Sequence, residues 1–148
     1  MIEGVEIKEL KAFEDQRGWL AEIIRDDESN FRPVMSYLSM TKPGLVRGPH
    51  EHVEQTDYFC FIGKFRLYLW DNRQASPTYK QHKVFDTSGI PTVAVVPSGI
   101  VHAYKNMASE EGLVINMPDR LYKGEGKKEA VDEIRYEDDP LSPYRIEE

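Results

Sequence analysis

The amino-acid sequence predicts an all-β fold, a barrel, jelly roll or sandwich of short strands. Three observations carry the prediction. Apolar residues come in short runs, several alternating with polar residues in the period-two pattern of a half-buried strand. The runs are rich in aromatic and aliphatic residues, as in Phe65-Arg66-Leu67-Tyr68-Leu69-Trp70, which a pleated surface favours. Turn residues separate them at regular spacing, and about nine short strands so arranged describe a β-barrel or sandwich.

In chain order, Val5–Leu10 is the first expected strand. Gly18 opens the second, Trp19–Arg25, and Pro43-Gly44 closes the third, Val34–Thr41. Thr56–Ile62 and Phe65–Trp70 flank Gly63, which suits a hairpin turn. Asp71-Asn72 and Ser76-Pro77 then precede Lys80–Phe85. Thr92–Val96 ends at Pro97 and Gly99, and His102–Met107 and Leu113–Met117 complete the set. Ala130, Val131 and Ile134 recur at helical spacing, so Gly126–Arg135 is expected as a short helix. The acidic, proline-containing tail Tyr136–Glu148 is expected to lie extended over the surface or a partner subunit.

A length of 148 residues suits a single domain, residues 1–148, with a real core. With 26 acidic against 19 basic residues the formal net charge is −7, which argues against nucleic-acid and anionic-membrane partners. A small anionic ligand held by a few arginines remains compatible. The single cysteine, Cys60, lies in the apolar run Tyr58–Ile62 and reads as a core residue. No run has the length of a membrane span and the N-terminus lacks a signal pattern, so a cytoplasmic protein is expected. Small jelly rolls leave sheet edges that need cover. A homodimer is therefore expected, with Phe65–Trp70 and Val5–Leu10 as the candidate covering strands.

Two segments carry the chemistry. Arg47-Gly48-Pro49-His50-Glu51-His52 is followed by Asp57, and Pro97-Ser98-Gly99-Ile100-Val101-His102 by Asn106. Residues two apart on a strand share a face, so His50 and His52 point the same way. Imidazole titrates near neutral pH and also ligates metals. Glycine and proline turns beside each segment suggest one site inside a barrel.

The two segments resemble the paired motifs of the cupin superfamily, which implies an all-β cupin-type double-stranded β-helix (jelly roll). A more specific resemblance follows from Asp15-Gln16-Arg17-Gly18 with Glu22, then Arg47–His50, then Asp71-Asn72-Arg73-Gln74-Ala75-Ser76-Pro77-Thr78. Pro97–Ala103 and Asp138-Asp139-Pro140 extend it, so it runs from Glu14 to Pro140. In that order these segments resemble the dTDP-4-dehydrorhamnose 3,5-epimerases. The resemblance implies a dTDP-linked 4-keto-6-deoxy sugar as substrate, whose C3 and C5 protons the C4 ketone acidifies. It further implies His50 as the base, Tyr122 as the acid on the opposite face, and no cofactor. Arg17 and Arg47 would take the diphosphate, with Glu22, His52 and His102 completing substrate binding.

This chain departs from that pattern in four places. Thr56 stands where the family has a lysine near the enolate oxygen, and Tyr122 fits the family tyrosine only with a small insertion. The carboxylate that pairs with the base in that family would fall beyond Glu148, so His50 is expected to need another partner or to lack one. The His50-x-His52 pattern is more reminiscent of sugar 3,4-ketoisomerases. Two alternatives stand beside the epimerase reading. One is a metal-dependent cupin holding one divalent ion on His50, His52, Asp57 and His102; the other is a non-catalytic sugar-binding cupin. Asp71 and Arg73 are expected to pair and fix a turn, and His82 to face solvent.

Overall fold

The computed structural model describes residues 1–146. Twelve strands form two five-stranded antiparallel sheets and one free-standing hairpin. The strands are β1 (Glu6–Glu9), β2 (Ala12–Asp15), β3 (Gly18–Ala21), β4 (Tyr37–Thr41), β5 (Val46–Glu51) and β6 (Asp57–Ile62). They continue as β7 (Phe65–Asp71), β8 (His82–Asp86), β9 (Thr92–Val96), β10 (Ile100–Asn106), β11 (Gly112–Asn116) and β12 (Ile134–Arg135). One sheet runs β1-β9-β6-β11-β4 and the other β12-β5-β10-β7-β8, while β2 pairs only with β3. This is the jelly roll of a small cupin.

Alternation along each strand builds the core. On β6, Phe59 and Phe61 face inward with Phe65, Leu67 and Leu69 of β7, Ile100 and Tyr104 of β10, and Val114 of β11. The opposite face of β6, with Tyr58 and Cys60, is covered by Ile23, Ile24 and Phe31 from the chain after β3. The outer face of β7 and β10 carries Tyr68, Trp70, Val101 and Ala103, roofed by Tyr136, Tyr144 and Ile146. Strands covered on both faces read as nearly continuous apolar runs, as β6 does.

Several expectations change at this level. The second strand ends at Ala21, because Ile23 and Ile24 leave the hairpin to roof the sheet. Residues Ala12–Asp15 and Val46–Glu51, outside the nine expected strand ranges, are strands. No helix spans Gly126–Arg135. A single 3-10 turn covers Glu125–Lys127, and Ile134–Arg135 pairs with β5. Val131 and Ile134 stay largely exposed, so the helical spacing has no apolar surface to bury. Asp132 also spends its carboxylate on the backbone N–H groups of Val53, Glu54 and Gln55. β7 lies between β10 and β8, so it is no sheet edge to be covered by a second copy. The tail packs on the chain's own outer face, except that Glu147 and Glu148 lie outside the described residues.

Candidate active site

The site forms where β5 and β10 pair. His50 lies opposite His102 in register, and Arg47 opposite Tyr104. Between these pairs Gly48 and Pro49 oppose Ala103 alone, a β-bulge. Gly48 has φ +90°, and a Cβ there would lie 2.5 Å from the His102 carbonyl oxygen. Only glycine lets β5 approach β10 this closely. The bulge turns His50 and His52 inward, toward Asp57 at the start of β6 in the opposite sheet.

The three imidazoles make one cluster. The ring centroids of His50 and His102 are 4.6 Å apart, and those of His52 and His102 are 5.6 Å apart. Asp57 Oδ2 sits 3.0 Å from His52 Nε2 and 3.3 Å from His102 Nε2. Neither approach is aligned as a hydrogen bond, and Asp57 Oδ2 and His102 Nε2 have no other such partner. Asp57 Oδ1 is saturated by the amides of Gln55 (2.7 Å) and Asn116 (2.8 Å). His52 Nδ1 donates to the Asp132 carbonyl at 2.5 Å, and His102 Nδ1 to the Ile100 carbonyl at 3.0 Å. Each of these rings therefore turns Nε2 toward the same carboxylate oxygen.

This arrangement drives neighbouring histidines apart. Burial opposes charge on His52, but Asp57 and then Asp132 outweigh it and raise its pKa to about 9. Burial likewise opposes charge on Asp57, and His102 and His52 overcome it, holding the carboxyl well below its usual range. His50 goes the other way. Burial, then repulsion from His102 and His52, keeps it neutral far below the ordinary imidazole range. A neutral imidazole beside a cationic one is the separation that general-base chemistry uses.

His50 and His52 open into a cleft of about 1280 Å³, with Asp57 and His102 buried behind them. Its wall includes Tyr37, Arg47, His50, His52, Phe59, Tyr104 and Tyr122. Arg47 is held by Thr41 Oγ1 (3.1 Å) and the Met40 carbonyl (2.8 Å). Tyr122, the sequence-predicted acid, lines the cleft and is half exposed. Tyr37 had no sequence signal. Its hydroxyl accepts from Asn116 Nδ2 at 2.9 Å, and burial raises its pKa to about 12. Glu133, Arg135 and Glu137 also line the cleft; the first two were hidden by the helical reading and Glu137 by the expectation of an extended surface tail.

The remaining predicted residues lie elsewhere. Arg17, at the tip of the β2–β3 hairpin, pairs with Asp15 at 2.5 Å and does not line the cleft. Glu22 follows β3 and faces Arg25 at 3.5 Å rather than Arg17. Asp71 gathers Arg73, Ser76 and Thr78 around its carboxylate, fixing the turn after β7. His82 is exposed and stacks on Trp70 at 4.6 Å. Among the described residues, nitrogens of His50, His52 and His102 lie within 4.8 Å of one another and are the set able to hold a cation. No helix of the described residues is long and apolar enough to cross a membrane.

A family model described as dTDP-4-dehydrorhamnose 3,5-epimerase matches residues 1–142. The chain belongs to this family. A probable low-salt glycan biosynthesis epimerase, Agl13 of Haloferax volcanii, is 38% identical over 133 residues, covering 86% of this chain and 85% of the relative. The dTDP sugar isomerase of Desulfovibrio desulfuricans superposes with a TM-score of 0.83 at 21% identity, covering 97% of this chain and 91% of that one. A dTDP-6-deoxy-D-glucose-3,5-epimerase from Legionella pneumophila, solved with dTDP-4-keto-L-rhamnose, gives 0.74 at 21% identity over 88% and 71% of the two chains. At these identities the solved structures speak for the jelly roll, while the family assignment rests on the sequence matches. The chain is thus placed among the epimerases and isomerases of dTDP-sugars.

Proposed function

We propose that this chain isomerises a dTDP-linked 4-keto-6-deoxy sugar by removing a proton beside its ketone, with His50 as the base. The observation that carries the reading is the cluster itself, one neutral imidazole beside an imidazole–carboxylate pair, in a cleft large enough for a nucleotide sugar. His50 takes the proton from C3 or C5, and the bond's electrons pass through the enolate to the C4 oxygen. Positive charge near that oxygen stabilises it. With Thr56 at the family's lysine position, His52, paired to Asp57 and lining the cleft, would serve as that cation. A tyrosine hydroxyl returns the proton, from Tyr122 or from Tyr37. Arg47 suits a diphosphate oxygen. His102 does not line the cleft; it is buried behind it, against Asp57 and the ring of His50.

Arg17 and Glu22 would reach a diphosphate only if the hairpin served a second copy. That role requires a homodimer, which would cover the exposed Phe13, Trp19 and Leu20 on the hairpin and Leu38 and Met40 on the β4 edge. The reaction needs no cofactor. The test is solvent-deuterium exchange into C3 or C5 of a dTDP-4-keto-6-deoxy sugar. Wild type should exchange, and His50→Ala should lose on the order of 10²–10⁴ in rate. A wild type that binds the nucleotide sugar without exchange would leave a binding barrel. A tightly held metal ion per chain, lost in His52→Ala, would favour the metal-dependent reading.

A further inference from the structure

His50 Nδ1 is buried and without a hydrogen-bond partner, yet two carboxylates approach it. Glu133 Oε1 is 3.6 Å away and Glu137 Oε1 is 4.0 Å away. Both belong to a strap, residues Asp132 to Asp138, fastened at each end. At one end Asp132 takes three backbone N–H groups of residues 53–55 and the Nδ1–H of His52. At the other, the Tyr136 hydroxyl donates to Glu51 Oε1 at 2.5 Å. Between these anchors Ile134 and Arg135 pair with Glu51 and His50 of β5.

We infer that Glu133 is the positioning residue for His50, accepting its Nδ1–H so that Nε2 presents its lone pair to the substrate. The inference rests on the proposed proton abstraction, and it deepens that reading. Glu133 is favoured over Glu137 on two grounds. It is nearer, and it divides its oxygens, with Oε1 toward His50 and Oε2 toward Arg135 Nη1 at 3.6 Å. Glu137 already spends on Arg135 Nη2, at 2.8 Å, the oxygen that faces His50. A gap of 3.6 Å exceeds a hydrogen bond, and a small side-chain rotation of Glu133 closes it. When His50 takes the substrate proton, the carboxylate faces a new imidazolium and stabilises it. The charged groups around His50 are then Glu133, Arg135 and Glu137 from the strap, His52 beside it, Asp57 from β6 and His102 from β10. Of these, only the strap carboxylates stand on the Nδ1 side within 4 Å.

The test compares deuterium exchange in wild type, Glu133→Gln, Glu133→Asp and Glu137→Gln. Glu133→Gln should lower the exchange kcat by about 10- to 100-fold, taking the cost known for carboxylate partners of metal-bound imidazoles as the scale. KM should stay within about 2-fold, since the contact strengthens only as charge develops on His50. Its pH–rate profile should shift, Glu133→Asp should recover part of the rate, and Glu137→Gln should lose several-fold less than Glu133→Gln. An unchanged Glu133→Gln, an equal loss in Glu137→Gln, or a loss confined to KM overturns the assignment. If wild type itself exchanges nothing, the epimerase reading fails, and ¹⁵N spectra of the histidines decide the contact separately. The His50 Nδ1 resonance should then move in Glu133→Gln and hold in Glu137→Gln, and a resonance indifferent to Glu133 would refute the pairing.

Discussion

Replacing Gly48 by alanine tests how the site is built. The residue has φ +90°, and its Cβ would meet the His102 carbonyl oxygen at 2.5 Å and Ala103 at 3.1 Å. Two costs follow. A left-handed backbone costs a non-glycine residue about 1–2 kcal/mol. Forcing an atom against packed backbone adds about 1–3 kcal/mol, because no flexible side chain can give way. The sum, about 2–5 kcal/mol, lowers the midpoint of a domain this size by on the order of 10 °C. Gly44→Ala is the control, since Gly44 has φ +73° but nothing within 4 Å of its Cβ. It should lose only the backbone part, about 1–2 kcal/mol. Urea unfolding of wild type and both variants measures the difference. Equal losses at the two positions would refute the claim that close approach of β5 to β10 requires glycine at 48.

Other outcomes follow from the buried charges. Asp57→Asn should destabilise by about 3–5 kcal/mol, the cost of breaking a buried pair and leaving His52 uncompensated, measured by urea unfolding. The sign of the pH effect follows from His52, whose folded value of about 9 lies above its ordinary 6.5. Its contribution is complete below pH 6.5 and is lost as pH rises through about 9. Wild type should therefore lose melting temperature across that interval, and His52→Asn should lose less. Tyr136→Phe removes one of two donors to the buried Glu51, leaving Asn72 alone. It should cost about 1–3 kcal/mol in thermal or urea unfolding and loosen the strap. Dialysis against a chelator should leave deuterium exchange unchanged, and activity regained only on adding a divalent ion would contradict that.

Much of the fold was legible because strand periodicity and turn residues are local signals. β6, β7, β9 and β11 lie within a residue or two of their predicted ranges. β5 was hidden, since Gly48 and Pro49 punctuate like a turn and only pairing with β10 makes them a bulge. The strap was misread for a related reason. Ala130, Val131 and Ile134 carry helical spacing, but Asp132 and Arg135 find partners on a distant loop and strand. In the site, the shared face of His50 and His52 was legible from their spacing and His102 from its own segment, while their convergence on Asp57 depends on the bulge at Gly48 and Pro49. Glu133 and Tyr37 were invisible, because no local pattern reports which carboxylate or hydroxyl the other sheet will meet. Arg17 shows the converse: its motif is clear, while its side chain stays on a hairpin whose strands pair only with each other.

The sheet order has a kinetic consequence. Apart from β7–β8 and the small hairpin, no two sheet neighbours are adjacent in sequence: β1 waits for β9, β4 for β11 and β5 for β10. Loop-closure entropy must be met before such pairings repay it, so folding belongs in the millisecond-to-second range typical of non-local β topologies. No early local intermediate can bring His50 beside His102, because β5 and β10 are separated by four intervening strands. Appearance of the histidine cluster, followed by the upfield or downfield movement of its ring protons during refolding, should therefore coincide with the final cooperative step.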